Sequence, residues 1–329
     1  MQTAKNLVVL IPAFNEQDTI ASVIKKIPRK IPGVKKVTVL VVDDGSSDST
    51  SKVARQSGAD AVISHNTNRG LGAAFKTGLQ AGLAMGADII VNIDADGQFN
   101  PLDIPALIEP IQKNEADVVT CSRFKLKCLE PKMPFIKRFG NMLFTKIINV
   151  FTGSKFTDTQ CGFRAYSREA VLRLNLFARF TYTQEALIDL MQKGMRVKEV
   201  ACRVKGQREG QSKVVRHWYG YGIKAMIIVL RTVRDYKPLQ FFGSIGLALF
   251  AAGAISAFVL WIRLLLIHKI SPYTWVVYAD VILIVLGFLL IILALIADML
   301  DRQRKLQEDI LYQLKKEEFK KKVQFKNGQ

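Results

Sequence analysis

The chain has 329 residues, 49% of them hydrophobic and 23% charged, with four cysteines and a formal net charge of +19. That apolar content excludes a disordered chain, and the length and cysteine count exclude a small disulfide-stapled scaffold. The charge is concentrated in three windows: residues 123–146 carry 7 Lys/Arg against 1 acid, residues 196–237 carry 11 against 3, and residues 301–329 carry 9 against 5. A near-neutral body with basic patches points to a polyanionic partner, either phosphates or an anionic membrane surface.

In chain order, Leu7–Ile11 is a short apolar run, and Ile20, Val23, Ile24 and Ile27 then recur at helical spacing, so a strand is followed by a helix. Val37–Val42 is apolar throughout, as suits a strand buried on both faces, and Ser46–Gln56 offers a capped helix. Ala61–Ser64 predicts a strand, Leu71–Met85 a helix of small residues, Ile89–Ile93 a strand, Leu102–Lys113 a helix, Val118–Cys121 a strand and Phe135–Phe151 a helix. This alternation predicts an α/β fold, a mainly parallel sheet with helices on both faces. Ligands in such sheets sit beyond the carboxyl ends of the strands.

Three of those ends are polar: Pro12-Ala13-Phe14-Asn15-Glu16, Asp43-Asp44-Gly45-Ser46-Ser47-Asp48 and Asp94-Ala95-Asp96-Gly97-Gln98. Each alone reads equally as a helix cap or a turn. Together they converge on one crevice rich in carboxylates. Such a crevice repels a nucleotide diphosphate unless a divalent cation lies between them. Asp94-x-Asp96 suits Mg²⁺ or Mn²⁺, because residues two apart in an extended segment point the same way and hard cations prefer carboxylate and phosphate oxygens. The chain has neither a Gly-x-Gly-x-x-Gly at its first turn nor a P-loop, which leaves a metal-held nucleotide.

Residues 239–267 contain a single charge, Arg263, and a second apolar run, Trp275–Ala297, is interrupted only by Asp280. Both runs reach the roughly 20 residues that cross a bilayer, and the short link His268–Thr274 with Pro272 predicts a transmembrane hairpin. Arg231, Arg234, Lys237, Arg302, Arg304 and Lys305 flank its outer ends while the link holds Lys269, so the positive-inside rule predicts that both long flanks, with both termini, lie in the cytoplasm. The first apolar stretch, Leu7–Ala13, is too short for a signal peptide. Cys121, Cys128, Cys161 and Cys202 lack Cys-x-x-Cys spacing and are expected to stay reduced. Trp218, Tyr219 and Tyr221 mixed with Lys224, Arg231 and Arg234 predict an interfacial segment. Arg302–Lys326 alternates charge at helical spacing, as a solvated or leaflet-facing helix without chemistry would. The expected organisation is a soluble domain at 1–213, an interfacial segment at 214–238, membrane helices at 239–267 and 275–299, and a basic helix at 300–329.

The set Ile11-Pro12-Ala13-Phe14-Asn15-Glu16, Val42-Asp43-Asp44-Gly45-Ser46, Asn68-Arg69-Gly70 and Asp94-Ala95-Asp96-Gly97-Gln98 resembles family 2 glycosyltransferases. Within them it is similar to the dolichyl- and polyprenyl-phosphate sugar synthases. The resemblance implies a GT-A (Rossmann-like) fold, a nucleotide-sugar donor, a divalent metal and a lipid-phosphate acceptor. It implies that Pro12, Phe14, Glu16, Asp43, Asp44, Arg69, Gly70, Asp94, Ala95 and Gln98 bind the donor, and that Asp94, Asp96 and Gln98 hold Mg²⁺ or Mn²⁺. Phe14 departs from the Tyr found in many relatives, which keeps ring packing and loses a hydroxyl contact. Ser122-Arg123-Phe124, Arg138, Asp158-Thr159-Gln160-Cys161-Gly162-Phe163-Arg164 and Arg208-Glu209-Gly210-Gln211-Ser212-Lys213 resemble the acceptor side. Arg123, Arg138, Arg208, Ser212 and Lys213 would then catch the acceptor phosphate, and Glu185 would lie near the sugar. Asp96, Arg123, Arg208 and Glu185 are the expected catalytic set.

The donor stays open among GDP-mannose, UDP-glucose and UDP-N-acetylglucosamine, dolichol is not distinguished from undecaprenol, and self-association into a homo-oligomer is open. A polysaccharide-forming family 2 enzyme is the nearest alternative, but the Gln-x-x-Arg-Trp motif of those enzymes is missing. A non-catalytic membrane scaffold is opposed by the intact Asp94, Asp96, Arg123 and Arg208. Nucleic acid is not an expected partner, because the basic windows lie beside the membrane runs and no nucleic-acid-reading motif occurs.

Overall fold

The computed structural model describes residues 4–126, 135–176, 182–202, 204, 238–268, 271 and 273–327. The chain divides into two compact units, Met1–His217 with Leu311–Gln329, and Trp218–Ile310.

The first unit is built on a seven-stranded sheet of β1 (Lys5–Ala13), β2 (Val34–Asp43), β3 (Ala61–Ser64), β4 (Ile89–Asn92), β5 (Val118–Ser122), β6 (Arg164–Ser167) and β7 (Val197–Ala201). Its spatial order is β3-β2-β1-β4-β6-β5-β7. Neighbours are parallel except at β6, which runs antiparallel to both β4 and β5. The continuous apolar runs of β1 and β2 place them inside the sheet, covered on both faces.

One face of β1, with Leu7, Val9 and Ile11, packs on α1 (Ile20–Lys26), α2 (Thr50–Gln56) and α4 (Ile104–Gln112). The other, with Val8 and Leu10, packs on α3 (Leu71–Ala84), α6 (Arg168–Arg173) and α7 (Tyr182–Gln192). Helix α5 (Phe135–Thr152) lies between β5 and β6 in the chain. The predicted helix at Ser46–Gln56 begins only at Thr50, because Ser46 and Ser47 bond to Asn15 in the loop after β1 and Asp48 Oδ1 accepts from the Thr50 amide. The helix expected at Leu102–Lys113 is likewise split, with a 3₁₀ turn at Pro101–Asp103 leading into α4.

Helix α3 approaches β1 closely, which explains its small residues. A Cβ on Gly78 would lie 2.1 Å from Leu10 Cδ1 and 2.9 Å from Leu10 Cγ, and Leu10 is fully buried.

The second unit contains α8 (Pro238–Ile267) and the first part of α9, a single 54-residue helix over Thr274–Asn327. Both helices are long and apolar enough to cross a membrane. They pack through small residues, with Gly246 and Gly253 buried, while Trp261, Leu266, Phe288 and Leu289 face outward. The separate basic helix expected at 300–329 is therefore a continuation of the second apolar helix.

From Leu311 on, α9 belongs to the first unit, and its seam is aromatic rather than solvated. Tyr312 and Phe319 are buried with the α6–α7 cluster. The Tyr312 hydroxyl donates to Glu169 (3.1 Å), the Arg173 guanidinium covers the Tyr312 ring, and Lys315 donates to the Leu174 carbonyl (3.0 Å) and Asn175 Oδ1 (2.8 Å).

Gly78→Ala should overpack the α3–β1 contact and destabilise the protein by about 1–3 kcal/mol. The measurement is a lowered thermal unfolding midpoint of the detergent-solubilised protein.

Candidate active site

The carboxyl ends of β1, β2 and β4 meet the start of β6 at one edge of the sheet. The loops after β1 and β2 are laced together, although some thirty residues separate them in sequence. Asn15 takes a left-handed backbone (φ 53°), its amide donates to Ser46 Oγ (2.9 Å), and its side-chain oxygen accepts from the Ser47 amide (2.9 Å). The Glu16 amide donates to Thr50 Oγ1 (2.9 Å), and Gln17 and Ser49 continue the seam. Pro12, buried in β1, and half-buried Phe14 and Glu16 are thus held on a fixed loop.

Asp43 ends β2, Asp44 follows it, and both are buried. Asp43 accepts from the Ser46 amide (3.1 Å) and from the hydroxyls of Ser46 and Ser51. Asp44 accepts from the backbone amides of Arg69 (3.0 Å) and Gly70 (2.7 Å), just before α3. A carboxylate at the start of a helix is favoured by the orphan amides and the dipole there.

After β4, Asp94, Asp96 and Gln98 are half-buried and Ala95 is buried, and Asp96 Oδ1 accepts from the Gln98 amide (3.1 Å). Asn92 and Tyr182 beside them went unrecognised in the sequence, and Gly162 was noted there only within the Asp158–Arg164 motif. Asn92, fully buried, donates through Nδ2 to the Gly162 carbonyl (2.9 Å) and to Tyr182 Oη (2.9 Å). A Cβ on Gly162 would lie 3.0 and 3.1 Å from the two Asp94 carboxylate oxygens and 3.3 Å from Tyr182 Oη. The missing side chain at 162 is what gives the Asp94 carboxylate its room. Burial and the Asp94 charge push the Tyr182 phenol well above its ordinary pKa, so it stays a neutral hydroxyl. Among the described residues no group of three acids, histidines or cysteines is gathered to hold a metal ion by itself.

Arg123 follows β5 and is clamped by Asp158. Its Nε donates to Asp158 Oδ2 (2.6 Å) and its Nη2 to Oδ1 (3.0 Å), a two-pronged pair with the carboxylate fully buried. Asn141 of α5 and the Gln160 amide add donors to the same carboxylate. Burial alone would lower the Arg123 pKa, but the bonds and charge of Asp158 outweigh it and push it up.

Arg138 lies exposed on α5 one turn before Asn141, and Glu185 is half-buried in the first turn of α7. Arg164 is fully buried and donates to Thr120 Oγ1 (3.2 Å) and the carbonyls of Thr159 (2.8 Å) and Thr183, so it is a structural strut that ties α7 to the sheet. Cys121, Cys161 and Cys202 are buried free thiols. Arg208, Ser212, Lys213, Cys128 and nearly all of the 214–238 segment lie outside the described residues.

The structure thus combines a mostly parallel sheet, laced acidic loops at its carboxyl edge and an arginine held in a two-pronged pair after β5. Residues 8–174 match the family model for glycosyl transferase family 2, and the chain belongs to that family. It is 30% identical over 246 residues to a UDP-N-acetylglucosamine–dolichyl-phosphate N-acetylglucosaminyltransferase of Methanococcus voltae, an alignment that covers 69% of this chain and 96% of that protein. It is 28% identical to a polyprenol monophosphomannose synthase of Mycolicibacterium smegmatis, over 65% of this chain and 83% of that one. Among solved structures, it is similar to glucosyl-3-phosphoglycerate synthase from Mycobacterium tuberculosis in complex with Mn²⁺, uridine diphosphate and phosphoglyceric acid. That likeness has a TM-score of 0.53 and 26% identity, over 70% of this chain and 78% of that one.

Asp158→Ala would leave Arg123 and the Gln160 amide without their acceptor. Removing one partner of a buried pair is costly, so the expected loss is about 3 kcal/mol, read as a lower unfolding midpoint. Asp158→Asn, which keeps one acceptor oxygen, should lose less.

Proposed function

We propose that the protein transfers one hexose or N-acetylhexosamine from a nucleotide sugar to the phosphate of a membrane polyprenol, with inversion at the anomeric carbon. The observation that carries this reading is that the Asp94–Asp96 pair after β4 and the Asp158-clamped Arg123 after β5 stand at the same edge of one sheet, in a chain that also bears two membrane-length apolar helices. The names of the relatives from Methanococcus voltae and Mycolicibacterium smegmatis support a polyprenol-type acceptor.

On this reading Pro12, Phe14, Glu16, Asp43, Asp44, Arg69, Gly70, Ala95 and Gln98 line the donor side. Asp94 and Asp96, with Gln98, would hold Mg²⁺ or Mn²⁺. The residues fit such an ion: two carboxylates two residues apart supply hard oxygen ligands, Gly162 keeps the space beside Asp94 open, and diphosphate oxygens would complete the set. The chemistry supplied there is neutralisation of the departing nucleotide diphosphate.

The acceptor phosphate is already ionised at neutral pH and needs little help from a general base. Its oxygen forms the new bond to the anomeric carbon as the bond to the diphosphate breaks and the electron pair leaves with the nucleotide. Arg123 aligns that phosphate, with Arg138, Arg208, Ser212 and Lys213 as its further binding groups, and Glu185 faces the sugar. The clamp matters because a guanidinium already held by Asp158 needs little reorganisation as the acceptor arrives. The Lys/Arg bias at the hairpin's outer ends supports a cytoplasmic body.

In membranes supplied with polyprenyl phosphate, a screen of GDP-mannose, UDP-glucose and UDP-N-acetylglucosamine should yield one lipid-linked sugar by mass analysis. Asp96→Ala should lower that product by about a hundredfold or more, and normal turnover in that variant would remove the metal assignment. Gly162→Ala should weaken Mn²⁺ binding in the presence of nucleotide about tenfold, measured by titration of the spin-active ion.

A further inference from the structure

The remaining strand end in the parallel half of the sheet carries a residue that the proposed reaction does not yet use. Strand β3 is followed by His65, whose backbone amide donates to the Asp43 carbonyl (2.8 Å) and whose side chain is only 6% exposed. Its Nδ1 lies 2.7 Å from Asp44 Oδ1, and its Nε2 lies 3.0 Å from Thr77 Oγ1 on α3. An ionised carboxylate only accepts hydrogen bonds, so Nδ1 carries the proton that is shared with Asp44. The Thr77 hydroxyl closes the chain at the far nitrogen and fixes the plane of the ring. Asp44 is thereby engaged on three sides: by His65, by the Arg69 amide and by the Gly70 amide.

Three elements meet at this one carboxylate. Asp44 follows β2, His65 follows β3, and Arg69-Gly70 leads into α3. A buried carboxylate that loses a donor either rotates to find another or draws in water, and either change would release the Arg69-Gly70 amides. We infer that His65 is a positioning residue of the donor site: it holds Asp44 so that Asp44 in turn fixes the Asn68-Arg69-Gly70 loop where the nucleoside binds. The inference rests on the transferase reading above, in which Asp44, Arg69 and Gly70 belong to the donor side. His65 itself does not touch the reacting atoms, so its loss is expressed in donor binding rather than in turnover at saturation.

The test uses the full-length protein in detergent with Mn²⁺ and either UDP or GDP, followed by steady-state kinetics with the donor that gives product. His65→Ala should raise the nucleotide Kd and the donor KM about tenfold and leave kcat within about twofold. His65→Asn places an amide N–H near the position of Nδ1 and should restore both to within about threefold of the wild type, which a purely space-filling role would not predict. Unchanged binding in His65→Ala, a loss confined to kcat, or His65→Asn no better than His65→Ala would each overturn the inference. Should His65→Ala fail to fold, Thr77→Val takes its place, with an expected two- to threefold rise in KM; an unchanged KM there overturns the inference as well. A wild-type protein that binds neither nucleotide would instead overturn the transferase reading and this inference with it.

Discussion

Charge withdrawn from water must be met by hydrogen bonds or by an opposite charge, and that requirement organises the carboxyl edge of this sheet. Asp43 is met by two serines, Asp44 by two loop amides and His65, and Asp158 by the fork of Arg123 with Asn141 behind it. The donors to Asp43 come from the stretch that follows it, whereas those to Asp44 and Asp158 come mostly from other segments of the chain. Asp44 therefore joins the ends of β2 and β3 to the start of α3, and Asp158 joins the end of β5 and α5 to the approach to β6, while Asp43 braces the loop after β2.

The antiparallel strand β6 explains how the two halves of the site come together. Because it runs opposite to β4 and β5, it begins where they end: Arg164 pairs with Asn92 and with Thr120. The segment Asp158–Phe163 that leads into it consequently lies across the carboxyl edge. That places Gly162 against Asp94 and Asp158 against Arg123. A parallel strand in the same position would begin at the opposite edge and deliver neither.

The basic windows take on distinct tasks. In the first, Arg123 is committed to Asp158, and Lys125 to the Glu199 carbonyl. In the last, Lys315 is spent on the Leu174 carbonyl and Asn175, and Tyr312 and Phe319 supply a buried seam on the α6–α7 side of the first unit. The charge alternation that reads as a solvated helix conceals that seam, since two aromatics seven residues apart weigh little among so many charged neighbours.

By itself the sequence determined the alternating β/α elements, the apolar hairpin and the acidic strand ends. All of these are local patterns, set by periodicity, by the length of apolar runs and by the residue types that follow a strand. Asn15-Glu16, Asp43-Asp44 and Asp94-x-Asp96 were legible for that reason, and Arg123 through the family resemblance of Ser122-Arg123-Phe124. What only the tertiary structure decided was pairing: the insertion of β6, the Asp158 clamp on Arg123, the Gly162 space beside Asp94, the His65 bond to Asp44 and the burial of Tyr312. Those contacts join residues from 21 to 143 positions apart, and a carboxylate's partner across such a distance is chosen by strand order and loop course, which no local pattern records.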